Sequence, residues 1–128
     1  MLRVLGAVTG QVIHEQVFAA ATGMHGAGRY GAQCGLVEGG LMFLGLWGRE
    51  MGKTQGWITE ACNAYAQGFE RRFGSLLCRE LRPQGFIDGQ PPHMCEELSV
   101  DAASWAVKWV GRFSEQEKQH RPPVGGRV

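Results

Sequence analysis

Four cysteines are the residues of this 128-residue chain best suited to chemistry: Cys34, Cys62, Cys78 and Cys95. Cysteine thiolates act as nucleophiles, redox groups or ligands of soft metals. The four are far apart in sequence, and no CxxC or CxxCH stretch occurs. This spacing excludes a zinc ribbon, a thioredoxin-type site and covalent c-type haem attachment. Spacing alone favours buried thiols that pack as small apolar side chains over a shared site.

Cys34 stands where a glycine-rich loop becomes an apolar run, within residues 26–48 (GAGRYGAQCGLVEGGLMFLGLWG). The apolar side chains of residues 36–47 would point to nearly every side of a helix, which predicts a buried central helix. A cysteine at the start of a helix has its thiolate stabilised by the helix dipole and by free amides. Arg79, next to Cys78, could favour an anionic site or simply lie at the surface.

Glycines give this region two further properties. Gly31, Gly35 and Gly39 are four residues apart, which predicts close approach by another helix or by a bulky prosthetic group. The preceding loop, residues 24–30, could cradle an anion with its amides. It matches neither the dinucleotide-binding nor the P-loop pattern, so nucleotide binding is not expected. His25 in this loop is expected to be exposed.

The composition fits one domain with one core. The net charge is +1 with acids and bases interleaved, which gives no support for binding to nucleic acid or to an anionic membrane surface. The apolar run of residues 36–47 is too short to span a bilayer, and the N-terminus has no signal-peptide pattern. We therefore expect a cytoplasmic protein whose cysteines are not structural disulfides.

Hydrophobic periodicity predicts an all-α, single-domain bundle of four or five helices around the central Gly-rich apolar helix. One helix, or a broken pair, covers residues 1–23. Another follows Thr54, a candidate N-cap, and ends at Gly74 with Cys62 on its core face. No segment shows the alternation of a β-strand.

The last helix is predicted to begin near Cys95 and to run to about Phe113. Trp105, Trp109 and Phe113 form a second apolar face on it, which would be an unusually large exposed patch on a monomer. We therefore expect a homodimer through this face. Residues 1–113 are predicted to form the helical domain, and residues 114–128 a flexible C-terminal tail.

Three blocks of the sequence resemble a family of redox-active helical proteins named for its cysteine pattern, C_GCAxxG_C_C. Similar domains occur in split-Soret cytochromes c. Residues 21–39 (ATGMHGAGRYGAQCGLVEG) resemble the family's glycine loop and its C-G-A-x-x-G helix, with Leu36 in place of the alanine. Residues 69–81 (FERRFGSLLCREL) resemble the family's F-x-x-x-F-G-S-x-x-C-R-E-L. Cys95 and the helix after it resemble the family's last cysteine.

The resemblance implies a redox protein in which Cys34, with Gly35 beside it, shares one site with Cys78 and Cys95. The family is thought to hold an iron–sulfur cluster or to perform thiol redox chemistry. We expect a cluster, most simply [2Fe–2S], for electron transfer to an unknown redox partner. The three sulfurs should then lie within about 10 Å of one another, with Cys62 elsewhere.

Iron–sulfur clusters take four ligands, and the family's first cysteine should precede the glycine loop. This chain has no cysteine before Cys34. Counting back from Gly23 places that cysteine just upstream of Met1, so we expect a chain that starts late. The alternatives are an open site or a substitute fourth ligand, for which four residues are candidates: Cys62, His14, His25 and His93.

Two other functions stay open at this point. The protein could be a metal-free thiol–disulfide protein that uses two of the three matched cysteines. It could also be a non-catalytic helical subunit with inert cysteines, whose functional surface is the face that carries Trp105 and Trp109.

Overall fold

The computed structural model describes residues 1–82 and 95–120, and this part of the chain is all-α without a β-strand. Its helices follow in the order α1 (Leu2–Thr9), α2 (Glu15–Ala20), the 3-10 turn Ala21–Gly23, α3 (Gly26–Arg29), α4 (Gly35–Glu50), α5 (Gln55–Phe73), α6 (Cys78–Leu81) and α7 (Glu96–Gln119). The predicted fold class is confirmed. None of the helices in these two ranges is long and apolar enough to cross a membrane.

Helix α4 packs against α1, α5 and α7. Every residue from Gly35 to Gly48 is buried or half-buried, as expected for a helix with apolar side chains on nearly every side. Phe43 and Leu44 lie in one core cluster with residues of α1, α5 and α7. Val37 lies in a second cluster, which includes Cys34.

Glycines of α4 allow its neighbours to come close. A Cβ at Gly39 would lie 3.0 Å from the Met1 side chain, just before α1. A Cβ at Gly40 would overlap the ring of Tyr65 on α5. Of the two explanations for the glycine spacing, close packing within the chain therefore accounts for Gly39.

Local signals set the ends of α5. The hydroxyl of Thr54 accepts a hydrogen bond of 3.2 Å from the amide of Trp57, which satisfies one free N–H of the first turn. Gly74 follows the last residue with φ of 90°, the left-handed conformation that glycine adopts without strain. Both predicted boundaries agree with the structure.

The aromatic face of α7 lies against α5 of the same chain. Trp105 packs on the ring of Tyr65 with a centroid separation of 5.2 Å, and Trp109 does so at 5.3 Å. Phe113 stacks on Trp109 at 4.8 Å. All three rings are half-buried, so the apolar surface that motivated the homodimer is smaller than the sequence indicated. The homodimer stays a prediction.

Helix α7 continues to Gln119, so the prediction that it ends near Phe113 was wrong. Residues 114–119 are mostly Glu, Gln and Lys, which favour helix, and Glu117 forms an ion pair of 3.1 Å with Lys53. Residues 114–119 of the predicted flexible tail are therefore helical. Residues 121–128 of that tail lie outside the described residues.

Candidate functional site

A β-bridge between two loops brings Cys34 and Cys78 together. Gln33 pairs with Leu77 in antiparallel orientation. The Cys34 amide donates a hydrogen bond of 2.8 Å to the carbonyl oxygen of Leu76. The Cys78 amide donates one of 2.7 Å to the carbonyl oxygen of Ala32. Residues that follow the two members of such a pair face the same side of the ladder. Cys34 and Cys78 are thus diagonal neighbours, a relation that places Cα atoms about 7–8 Å apart in sheets.

Three cysteines lie at helix starts. Cys34 is the N-cap of α4, Cys78 is the first residue of α6, and Cys95 is the N-cap of α7. All three line one cavity of about 830 Å³. Cys34 and Cys78 are buried, with 6% and 7% of their surface exposed, and Cys95 is half-buried.

Cys62 lies away from this cavity. It is half-buried and packs against the core cluster that contains Phe43 and Tyr65. Its sulfur lies 3.8 Å from the carbonyl oxygen of Leu41. The structure thus separates Cys62 from the three cysteines that match the family pattern.

The charged residues of the cavity wall are basic in the part of the chain that the structure describes. Arg3, Arg29 and Arg82 line it together with His25, and none of the described lining residues is Asp or Glu. Arg82 is 6% exposed and follows Cys78 by four residues, on the same side of the helical turn. Its positive charge acts to lower the pKa of the Cys78 thiol.

The structure assigns that electrostatic role to a different arginine from the one the sequence suggested. Arg79 is exposed and does not line the cavity. Its Nε donates a hydrogen bond of 3.1 Å to the carbonyl of Gly31, so it holds two loops together. Sequence reasoning missed Arg82, although its spacing of four residues from Cys78 was a usable signal.

Burial governs the two innermost thiols. It raises the pKa of Cys34, and the nearby Cys95 raises that pKa further. Hydrogen bonds from the amides of Leu36 and Val37 act in the opposite direction and lower it. Burial likewise raises the pKa of Cys78, with Cys34 and Cys95 adding to the increase and Arg82 opposing it. Without a metal, burial therefore favours the protonated form of both thiols.

The glycine loop packs directly on the start of α4. A Cβ at Gly35 would lie 3.1 Å from the Cα of His25 and 3.3 Å from the carbonyl oxygen of Met24. The missing side chain at Gly35 therefore allows the protein's own loop to pack closely against the start of α4. This contact places the backbone of His25 beside the residue that follows Cys34.

His25 also has a defined ring orientation. It is exposed, as expected, and it lines the same cavity as the three cysteines. Its Nδ1 lies 2.9 Å from the carbonyl oxygen of Thr22. A carbonyl only accepts, so Nδ1 carries the proton and Nε2 has the free lone pair in the neutral ring.

One other candidate for a fourth ligand is not at this cavity. His14 lines a different cavity, formed with residues of α2 and α4. His93 lies outside the described residues. Within residues 1–82 and 95–120, no three His, Cys, Asp or Glu side chains are grouped closely enough to hold one metal ion.

Fold and site together define an all-α protein with a cysteine-lined, basic cavity. The family model described as "Putative redox-active protein (C_GCAxxG_C_C)" matches residues 2–109, and the chain belongs to this family. Comparisons with curated proteins and with solved structures give no match.

Proposed function

We propose that the protein transfers electrons and that its cavity holds an iron–sulfur cluster, [2Fe–2S], through Cys34, Cys78 and Cys95. The observation that carries the proposal is the presence of these three cysteines in one cavity, whose charged lining residues within the described ranges are basic. Thiolate ligands make such a site anionic, and basic side chains in a largely apolar wall compensate that charge. When bound, the cluster would supply one-electron redox chemistry.

Two features of the residues present favour such a group. Amides of Leu36 and Val37 point at the sulfur of Cys34, and hydrogen bonds to ligating sulfur raise a reduction potential. Arg82 places a buried positive charge near Cys78, which acts in the same direction. A cluster with two irons distributes its ligands over two metals. Such an arrangement is compatible with the lack, in the described part, of a three-residue group for one ion.

The thiol–disulfide alternative has less physical support. A nucleophilic cysteine needs a lowered pKa, because the thiolate is the reactive form. Burial raises the pKa of both Cys34 and Cys78. A metal displaces the thiol proton directly, so a raised pKa does not prevent ligation.

The raised pKa values of Cys34 and Cys78 predict slow alkylation of the metal-free protein. At pH 7.5 iodoacetamide should modify Cys34 and Cys78 roughly tenfold more slowly than the same residues in urea, because little thiolate is present. The rate should increase as the pH rises above 9, since the raised pKa moves thiolate formation upward. Peptide mass mapping measures each residue separately. Rapid modification of either residue at pH 7 would instead favour thiol–disulfide chemistry.

Anaerobic purification tests the main proposal. The protein should be brown and contain about two irons and two sulfides per chain, with visible absorbance that dithionite bleaches. Chemical iron and sulfide analysis provides the number. A colourless protein without iron, after anaerobic reconstitution with iron and sulfide, would contradict it.

The proposal also includes a homodimer and a cytoplasmic location. A homodimer would use the exposed parts of Trp105, Trp109 and Phe113, all of which are half-buried. A cytoplasmic location is supported by four cysteines that form no disulfide among the described residues.

A further inference from the structure

We propose that the cavity binds a small organic anion with an apolar body, and that the guanidinium of Arg3 pairs with its oxyanion group. The ligand class is a carboxylate or a phosphate monoester attached to an aliphatic or aromatic body. This inference goes beyond the proposed electron transfer, and it does not depend on the presence of a cluster.

The volume of the cavity is the first argument. The three cysteines come from the starts of α4, α6 and α7, whereas α1 and α2 contribute a separate part of the wall. The cavity measures about 830 Å³, which is within the range of about 300–1,000 Å³ that is usual for small-molecule sites. A cluster core of two irons and two sulfides fills only a small part of such a volume. The remaining space is large enough for an organic ligand.

The chemistry of the wall is the second argument. Phe18 of α2 and Ala21 of the 3-10 turn line the cavity together with Met24 and Leu36, and all four are half-buried. An apolar ligand body that covers these side chains would remove both surfaces from water. The charged side chains among the described lining residues are arginines, so the potential in the cavity favours a negative group on the ligand.

Arg3 brings positive charge directly to the apolar part of this wall. Its guanidinium carbon lies 4.2 Å from the centre of the Phe18 ring. A contact with a ring does not occupy the N–H fork as a carboxylate would, and within residues 1–82 and 95–120 this fork has no hydrogen bond or ion pair. A guanidinium fork matches the two oxygens of a carboxylate or a phosphate. Arg3 can therefore pair with an oxyanion while Phe18 contacts the ligand body.

The other two arginines of the wall are placed differently. Arg82 is buried and acts to lower the pKa of the Cys78 thiol, so its charge serves the cysteines. Arg29 is exposed, at the end of α3, and adds positive charge to the same cavity. Of the three, Arg3 is the arginine that joins a cationic group to the apolar wall of α2.

The experiment titrates the full-length protein, purified under reducing conditions, with octanoate, octyl phosphate and uncharged octanol. Calorimetry should show about one anion bound per chain, at least roughly tenfold more tightly than octanol, because pairing with guanidinium is charge-assisted. Tighter binding of octyl phosphate identifies a phosphate monoester, and tighter binding of octanoate a carboxylate. Amide shifts in nuclear magnetic resonance spectra should be largest near Arg3, Phe18 and Ala21.

Two arginine variants form a matched pair. Arg72 is also an exposed arginine packed over a phenylalanine, 4.9 Å from the centre of the Phe73 ring, and it does not line the cavity. Arg3→Gln should weaken octanoate binding by roughly tenfold and leave octanol binding within about twofold, since only the charged pair is lost. Arg72→Gln should bind all three probes as wild type does.

Ala21→Phe tests the apolar wall separately. The larger side chain should fill part of the cavity and weaken the binding of all three probes. Far-UV circular dichroism checks that each variant is folded.

Three results would overturn the anion site: octanoate and octanol that bind equally, the same weakening by Arg3→Gln and Arg72→Gln, or amide shifts confined to residues outside the cavity. The outcomes also separate this inference from the proposed function. A protein that binds octanoate but takes up no iron would contradict only the cluster. A brown protein that does not bind octanoate or octyl phosphate would contradict only the anion site.

Discussion

Serine in place of Cys34, Cys78 or Cys95 is expected to remove most of the iron and sulfide from the anaerobically prepared protein, whereas Cys62→Ser should retain both. A serine hydroxyl is a much poorer ligand for iron than a thiolate, and each of the three cysteines lines the same cavity. Cys62 packs in the core instead, so its replacement should affect folding stability without changing the visible spectrum. Iron analysis and absorbance, measured per folded chain, provide the comparison.

Each cysteine variant also needs a check of its fold. Cys34 and Cys78 are buried, and a hydroxyl introduced there loses apolar packing. Far-UV circular dichroism shows whether the helices persist, and a folded, colourless variant is the expected result. The proposed site would be wrong if Cys62→Ser lost the cluster, or if Cys78→Ser kept it in full with an unchanged spectrum.

Short-range sequence patterns were sufficient for the helices. Apolar residues on every side of the run after Cys34 predicted a buried helix, and α4 has no exposed residue before Arg49. Thr54 and Gly74 marked the ends of α5 because capping depends on one or two side chains near the boundary. The end of α7 was placed too early because the apolar face stops at Phe113. The helix continues through residues 114–119, none of which breaks a helix.

The site depends on contacts between distant segments, which periodicity does not encode. The bridge between Gln33 and Leu77 joins two loops that have no strand pattern, yet it places Cys34 beside Cys78. From the sequence, the proximity of Cys34 and Cys78 could be inferred only through the resemblance to a family. The left-handed turn at Ala27 and Arg29 likewise has no local signal, because residues with a Cβ rarely adopt it.

The aromatic face of α7 shows a related limit. Periodicity identified Trp105 and Trp109 as one apolar face, but it did not indicate which surface covers them. On α5, Gly68 leaves room for both indoles, since a Cβ there would lie 3.0 Å from the Trp105 ring. A glycine inside a helix is a weak signal on its own, and its partner becomes evident only when the two helices are placed together.

Gly40→Ala is expected to destabilise the protein by about 2 kcal/mol, whereas Gly45→Ala should stabilise it by about 0.5–1 kcal/mol. Both glycines lie on α4, and alanine improves helix propensity by about 1 kcal/mol at either position. The difference comes from space. A Cβ at Gly45 meets nothing within 4 Å, and one at Gly40 would overlap the Tyr65 ring.

The ring of Tyr65 has little room to move. It is fully buried, with Trp105 and Trp109 packed on it at 5.2 and 5.3 Å. Overpacking in a core costs about 1–3 kcal/mol, and this enclosure places Gly40→Ala at the upper end, about 3 kcal/mol before the propensity gain. Urea denaturation of the two variants measures the difference. Equal stabilities would show that the ring can shift, and that α4 and α5 are less tightly packed than the structure indicates.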